Sequence, residues 1–170
     1  MEFGCGSGFN LAAAARMFPE VALTGLDWSQ SAVDLVNHVG QTQGFNLKGR
    51  RFDFFNPDDD VPVGPDTAVV TFDALEQTGA RFVTFAEWLL KKKPRLVLSM
   101  EPILEFYQPD GLFDHLAVLY HTQREFLNGY EPWLRQQAEA GRVEILARFR
   151  AGFGALYDEG FSVLVWRPLA

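Results

Sequence analysis

The stretch MEFGCGSGFNLAAAARMF, residues 1–18, places three glycines at alternate positions between a short β-type run and an alanine-rich helical run. These glycines are Gly4, Gly6 and Gly8. A glycine-rich turn lets the backbone pass close to a ligand, because no Cβ stands in the way and positive φ angles are permitted. The helix that follows offers free N–H groups in its first turn. The stretch therefore predicts a strand, a turn and a helix, with the turn lying against a ligand.

Beyond this unit, β-type runs alternate with helical runs, which is the pattern of a parallel sheet covered by helices. The connection between the last two β-type runs is too short for the crossover helix that parallel pairing needs, so these two strands should be antiparallel. We expect an α/β fold with a Rossmann-like, doubly wound sheet, mostly parallel, with an antiparallel C-terminal strand and helices on both faces. The strands predicted after residues 1–3 are 21–26, 48–55, 67–72, 95–100, 143–149 and 161–166.

Helical runs are predicted after the first, second and fourth strands. In the second of them, Ala32, Leu35, Val36 and Val39 follow the spacing i, i+3, i+4 and i+7. That spacing places four apolar side chains on one side of a helix and predicts that this side is buried.

The length of 170 residues fits one domain, 1–170. The segment 102–140 contains three prolines and gives a less regular pattern. We expect at least one helix within 122–140, and we expect 102–140 to form helices or an insertion on the substrate side of the domain.

Charge and cysteine content limit the function classes. A formal net charge of −7 would repel a polyphosphate, so nucleic acid is an improbable partner. Cys5 is the single cysteine, which excludes an intrachain disulfide, and the spacing of the three histidines matches no metal motif, so no metal site is expected. The sequence contains neither an apolar run of about 18 residues nor a leader pattern. We expect a protein of the cytoplasm with a small-molecule substrate and no membrane span.

The stretch EFGCGSG, from Glu2 to Gly8, resembles the first motif of the class I S-adenosylmethionine-dependent methyltransferases, acid-x-Gly-x-Gly-x-Gly. The order of elements and the terminal antiparallel hairpin also resemble that family. The resemblance implies S-adenosylmethionine as cofactor and transfer of its methyl group to a small-molecule acceptor, which the sequence does not identify. It implies that Glu2 helps to hold the ammonium group of the cofactor, and that its methionine part lies over the turn formed by Gly4, Cys5, Gly6 and Gly8.

Further matches follow the second, third and fourth strands. Asp27 ends the second strand, where a carboxylate can accept hydrogen bonds from both ribose hydroxyls, although a lone acid there would also suit a helix cap. The resemblance places Trp28 against the adenine. It also implies that Asp53, next to Phe54, accepts a hydrogen bond from the adenine amino group. Asp73, after the fourth strand, stands where many members of the family have another polar residue beside cofactor and substrate.

Candidates for a catalytic base lie where open α/β sheets bind ligands, at the carboxyl ends of the strands. Asp73, Glu101 and Glu105 fit that position. His115 and His121 lie in the segment that would fold over this edge, and a histidine titrates in a useful pH range. The sequence does not choose among these five residues.

Two other functions are consistent with parts of the pattern. A nicotinamide-dependent oxidoreductase would need G-x-G-x-x-G, but Phe9 stands at the third glycine position and Gly8 falls one position early. A non-catalytic cofactor-binding or interaction module is the other alternative, because the sequence begins only one residue before Glu2. From that start we expect an N-terminally shortened first strand without the helix that commonly precedes it in the family.

Overall fold

The computed structural model describes residues 1–108, 110–154 and 161–169, and it contains a seven-stranded sheet in the order β3-β2-β1-β4-β5-β7-β6. Strands β1 to β5 are parallel to one another, whereas β7 is antiparallel to both β5 and β6. The predicted fold class and the antiparallel end of the sheet are therefore confirmed. The strands are Glu2–Phe3 (β1), Leu23–Asp27 (β2), Leu47–Arg51 (β3), Ala68–Phe72 (β4), Leu96–Glu101 (β5), Val143–Arg150 (β6) and Ser162–Pro168 (β7).

Five α-helices accompany the sheet in the described residues, and one of them lies within 122–140 as expected. Pro132 is the third residue of that helix, where the missing N–H removes no intrahelical bond. Short 3₁₀ segments occupy Leu75–Phe82 and Leu104–Phe106. The α-helices are Phe9–Met17 (α1), Gln30–Gln43 (α2), Val83–Lys92 (α3), Leu112–Gln123 (α4) and Tyr130–Glu139 (α5).

Helices cover both faces of the sheet. Leu26 belongs to a large core with α3 and α5, which includes Phe3, Phe85 and Leu134. The neighbouring residue of β2, Gly25, faces Leu11 of α1 on the opposite side. Because successive residues of a strand point to opposite faces, the two contacts define two layers.

The buried face of α2 differs from the predicted one. Val33, Val36 and Gly40 are its buried residues, whereas the side chain of Leu35 is 43% exposed. A Cβ on Gly40 would lie 2.4 Å from the carbonyl oxygen of Leu47 in β3. The helix therefore contacts the strand most closely at a glycine. The spacing of apolar side chains does not predict such a contact.

The first strand, β1, occupies the middle of the sheet although it has two residues. Glu2 lies opposite Gly25 on one side and Val70 on the other, so the glycine turn emerges between β2 and β4. The carboxyl ends of the parallel strands meet at one edge, which is where ligands bind in open α/β sheets. No helix in the described ranges is long and apolar enough to cross a membrane.

Candidate functional site

The turn after β1 uses left-handed backbone at all three of its glycines. The φ angles of Gly4, Gly6 and Gly8 are 73°, 50° and 73°. The amides of Gly4 and Cys5 both donate to the carbonyl oxygen of Leu26, at 2.7 and 3.1 Å, which ties the turn to the end of β2. Because residues with a Cβ disfavour this conformation, the turn requires its glycines.

The three glycines differ in what surrounds them. A Cβ on Gly4 would lie 2.3 Å from the Cβ of Ala74, and one on Gly8 would lie 2.8 Å from a methyl group of Val36. A Cβ on Gly6 would meet no atom within 4 Å. Gly4 and Gly8 therefore permit close packing, whereas Gly6 faces open space.

That open space is a cavity of 620 Å³ at the carboxyl ends of β1 to β4. Its size falls in the range of small-molecule sites, about 300–1,000 Å³. Seven residues singled out from the sequence lie in its wall: Gly4, Gly6, Asp27, Trp28, Asp53, Phe54 and Asp73. The sequence reasoning did not assign a site role to the others: Arg51, Phe52, Phe55, Ala74, Gln77 and Thr78.

Asp27 joins the turn after β1 to the turn after β2. One carboxylate oxygen accepts the amide of Gly6 at 2.9 Å, and the other accepts the amide of Ser29 at 2.9 Å. The side chain is 7% exposed and lines the cavity. Since a carboxylate has about four acceptor positions, both oxygens can also accept bonds from a ligand.

Asp53 and Phe54 lie in a turn, because β3 ends at Arg51 and not at 55 as predicted. A carboxylate oxygen of Asp53 accepts the amide of Phe55 at 2.8 Å, which fixes the direction of that exposed acid. The ring of Phe54 packs edge-on against Phe85, with 4.8 Å between centroids. This turn presents one acid and two aromatic rings to the cavity.

Three residues of the predicted binding motif lie beside the cavity and not in its wall. Gly8 directly precedes α1 as its N-cap residue and packs on Val36. Glu2 is 4% exposed and accepts a hydrogen bond from the side-chain Nδ2 of Asn10 at 2.9 Å, and burial raises the pKa of its carboxyl group. Burial also raises the pKa of the Cys5 thiol to about 12, so the thiol is neutral at physiological pH.

A second cavity, of 370 Å³, adjoins the first. Asp73 lines both, and it is the one residue shared by their described walls. Its φ angle of 45° is left-handed, a conformation that aspartate tolerates better than most residues with a Cβ. The other residues in the wall are Asn10, Phe72, Met100, Phe153 and Phe161.

Glu101, a predicted candidate for the catalytic base, is fully buried beneath the loop that carries Asp73. Its carboxyl oxygens accept the backbone amides of Ala74, Leu75 and Glu76 at 3.0, 3.2 and 3.1 Å. Desolvation raises its pKa to about 7. In this position Glu101 lines neither cavity, and it orients the loop from below.

The remaining base candidates also lie outside the walls of both cavities. Glu105 accepts the amide of Gly129 at the start of α5. His121 is 2% exposed, and its Nε2 lies 3.2 Å from the hydroxyl of Tyr107. His115 is exposed on α4. Among the described residues, no group of three or more His, Cys, Asp or Glu could hold a metal ion.

The structure has the fold of class I S-adenosylmethionine-dependent methyltransferases. The apo form of the S-adenosylmethionine-dependent methyltransferase SibL superposes with a TM-score of 0.69 at 20% identity, covering 98% of this chain and 49% of that one. The methyltransferase domain of bacterial CtHen1-C gives a TM-score of 0.63 at 15% identity, covering 99% and 88%. This chain thus spans about half of the first protein and most of the second domain.

A third match carries ligands. The geranyl diphosphate C-methyltransferase from Streptomyces coelicolor A3(2), solved with Mg²⁺, geranyl diphosphate and S-adenosyl-L-homocysteine, gives a TM-score of 0.63 at 12% identity, covering 98% of this chain and 70% of that one. No protein-family model and no curated protein matches the sequence. At these identities the structural likeness concerns the fold.

Proposed function

We propose that this protein binds S-adenosylmethionine in the 620 Å³ cavity and transfers its methyl group to a small-molecule acceptor. The observation that carries the proposal is the convergence of the open glycine turn at Gly6 with Asp27 and Asp53 around one cavity, on a fold shared with methyltransferases.

The charges around the cavity suit a cationic ligand. Asp27, Asp53 and Asp73 line it, and Arg51 is the one basic residue in its described wall. S-adenosylmethionine carries a sulfonium and an ammonium group, whereas a dinucleotide carries a pyrophosphate. An excess of carboxylates favours the first ligand over the second by simple Coulomb attraction.

Different residues of the wall would contact different parts of the proposed ligand. Asp27 would accept the ribose hydroxyls with the acceptor positions that Gly6 and Ser29 leave available. The exposed ring of Trp28 and the edge of Phe54 would enclose the adenine. The methionine part would lie against Gly6, where a side chain would otherwise stand.

When bound, S-adenosylmethionine supplies a methyl group that its positive sulfur has already activated for displacement. The chain's own residues have to align the acceptor and limit access of water. Asp73 lies where the two cavities meet, and Glu101 fixes its loop through three backbone amides. We therefore assign Asp73 to the acceptor side and Glu101 to positioning.

The net charge of −7 supports a small molecule and not a nucleic acid as acceptor. We place the protein in the cytoplasm, because its single cysteine is a buried, neutral thiol. We also propose that 1–170 folds as one domain, since a single sheet runs from β1 to β7.

Calorimetric titration with S-adenosylmethionine, S-adenosylhomocysteine and NAD in parallel tests this proposal. We expect both adenosyl ligands to bind and NAD to bind more weakly or not at all. Tightest binding of NAD, or no binding of either adenosyl ligand, would overturn it.

A further inference from the structure

We infer that the 370 Å³ cavity is built for an amine with an apolar body, so that the acceptor atom is nitrogen. The statement that the amine accepts a methyl group rests on the proposed function. The binding site for an amine follows from this cavity alone. Its wall combines three phenylalanines and a methionine with one carboxylate.

The three phenylalanines form a continuous aromatic wall. The ring centroids of Phe72 and Phe161 are 6.5 Å apart with an interplanar angle of 70°. Those of Phe153 and Phe161 are 5.6 Å apart with an angle of 30°. The faces of aromatic rings carry negative electrostatic potential and attract cations, which is how aromatic cages recognise ammonium groups.

Asp73 gives this wall a polar end. It is the one ionisable residue among those described in the wall of the smaller cavity. A carboxylate has about four acceptor positions, so it can hold an ammonium group in addition to bonds within the protein. A charge pair near a protein surface interacts more strongly than the same pair in bulk water.

The described part of the same wall gives an anionic substrate no cationic partner. No lysine, arginine or histidine occurs in its described part. A carboxylate or phosphate on the acceptor would face Asp73 in a protein of net charge −7. The cavity therefore selects against acids as well as for amines.

An amine is also consistent with the chemistry of transfer. The nitrogen lone pair attacks the methyl carbon of a sulfonium donor, the carbon–sulfur bond breaks, and its electron pair stays on sulfur as a neutral thioether. An amine that enters as ammonium first gives one proton to water, which reaches the exposed Asp73. Positive charge passes from sulfur to nitrogen, and a carboxylate beside the nitrogen stabilises that charge as it develops.

Three ligands of one shape test the amine site: benzylamine, benzyl alcohol and benzoate, titrated by protein-observed NMR. We expect benzylamine to bind at least tenfold more tightly than benzyl alcohol, and benzoate not to bind. Asp73→Asn keeps a residue that tolerates the left-handed backbone and should remove the preference for the amine. Phe161→Leu should weaken the binding of benzylamine more than that of benzyl alcohol.

Matched variants outside both cavities are Asp66→Asn and Phe113→Leu, two exposed residues that should leave every affinity unchanged. Equal binding of amine and alcohol by the parent, or an amine preference that survives in folded Asp73→Asn, would overturn the inference. Titration of the same samples with S-adenosylhomocysteine separates it from the proposed function. Binding of S-adenosylhomocysteine without an amine preference rejects only the amine site. An amine preference without binding of S-adenosylhomocysteine rejects only the proposed cofactor.

Discussion

The two cavities that meet at Asp73 are assembled in different ways. The walls of the larger one come from successive strand ends between Gly4 and Thr78. Those of the smaller one come from α1, from the ends of β4 and β5, and from Phe153 and Phe161 between the last two strands. The larger cavity is formed mostly by the turns that directly follow β1 to β4, whereas the smaller one also needs α1 and residues from the segment between β6 and β7.

Because their walls differ, the two cavities suit different kinds of ligand. The larger cavity presents carboxylates and backbone groups at fixed positions. This arrangement suits a ligand that is the same in every reaction, such as a cofactor. The smaller cavity offers aromatic side chains around one acid, and exchange of single side chains would change what it accepts. Variants that disturb one cavity and not the other test whether the two are independent.

The largest effect is expected from Gly4→Ala, which should disturb both cavities by destabilising the fold. The new methyl group would lie 2.3 Å from the Cβ of Ala74, on a backbone with φ of 73°. Overpacking costs about 1–3 kcal/mol and left-handed backbone about 1–2 kcal/mol more. Urea denaturation should show a loss of about 2–5 kcal/mol in the free energy of unfolding.

A second variant separates the two causes. Gly44→Ala has a similar backbone, with φ of 65°, but no atom within 4 Å of the new methyl group, so it should cost about 1–2 kcal/mol. Combining Gly4→Ala with Ala74→Gly removes the clash and should restore the steric part. Failure of that combination to restore stability would show that the turn and the loop after β4 do not pack as described.

The next effect concerns Glu101, whose loop carries the residue shared by both cavities. Its pKa of about 7 in the folded protein, against 4.5 for an ordinary glutamate, means that the native state holds a proton that the unfolded state releases. Stability should therefore be fullest below pH 4.5 and fall as the pH rises through 7, by up to about 3 kcal/mol. Urea denaturation at pH 5, 6, 7 and 8 measures the slope.

Glu101→Gln should be less stable overall, because its amide nitrogen cannot accept the backbone N–H groups of Ala74, Leu75 and Glu76. The difference in stability between parent and variant should shrink with rising pH, since the pH-dependent part belongs to Glu101. Glu2 also has a raised pKa, and taking the difference removes its contribution. A pH-independent difference would contradict the burial argument.

Gly6→Val should affect the larger cavity alone. Valine strains the left-handed backbone at Gly6, where φ is 50°, but its side chain meets no atom within 4 Å, so the protein should lose some stability and still fold. Its affinity for S-adenosylhomocysteine should fall by about two orders of magnitude or more. Benzylamine should still bind in the smaller cavity. Gly44→Val is the matched control, because Gly44 also has a left-handed backbone, with φ of 65°, and open space around it, and it lies outside both cavities. Unchanged cofactor affinity in folded Gly6→Val would show that this turn is not the binding loop.

The parts that the sequence predicted are those that depend on local geometry. Alternating β-type and helical runs give the sheet, a short connection makes β6 and β7 antiparallel, and glycines with an acid at the next strand end mark the larger cavity. Asp27 and Gly6 were expected to serve one ligand, and a hydrogen bond joins them at 2.9 Å.

The parts that escaped prediction depend on packing between distant segments. The side of α2 that contacts β3 contains Gly40, because a glycine allows the closest approach of helix and strand. A search for apolar side chains does not find this contact. Glu101 has the residue type and position of a base, and its burial under the loop after β4 becomes visible only when β5 is placed next to β4. Phe153 and Phe161 carry no signal in the sequence that would assign them to one wall.

The finest test of the larger cavity is Asp27→Ala, which should weaken S-adenosylhomocysteine binding by about one to two orders of magnitude. Charge-assisted hydrogen bonds of this kind contribute roughly 1.5–3 kcal/mol. Asp27→Asn keeps the shape and one acceptor, so it should lose less. Both affinities are measured by calorimetry.

Asp27 also holds the amides of Gly6 and Ser29, so a loss of affinity alone would not distinguish a ribose contact from a loosened turn. A 2′,3′-dideoxyribose analogue of the ligand makes the distinction, because it lacks the hydroxyls that the carboxylate would accept. Parent and Asp27→Ala should bind that analogue almost equally. If the substitution weakens both ligands to the same extent, the carboxylate acts by shaping the turn, and the ribose lies elsewhere in the cavity.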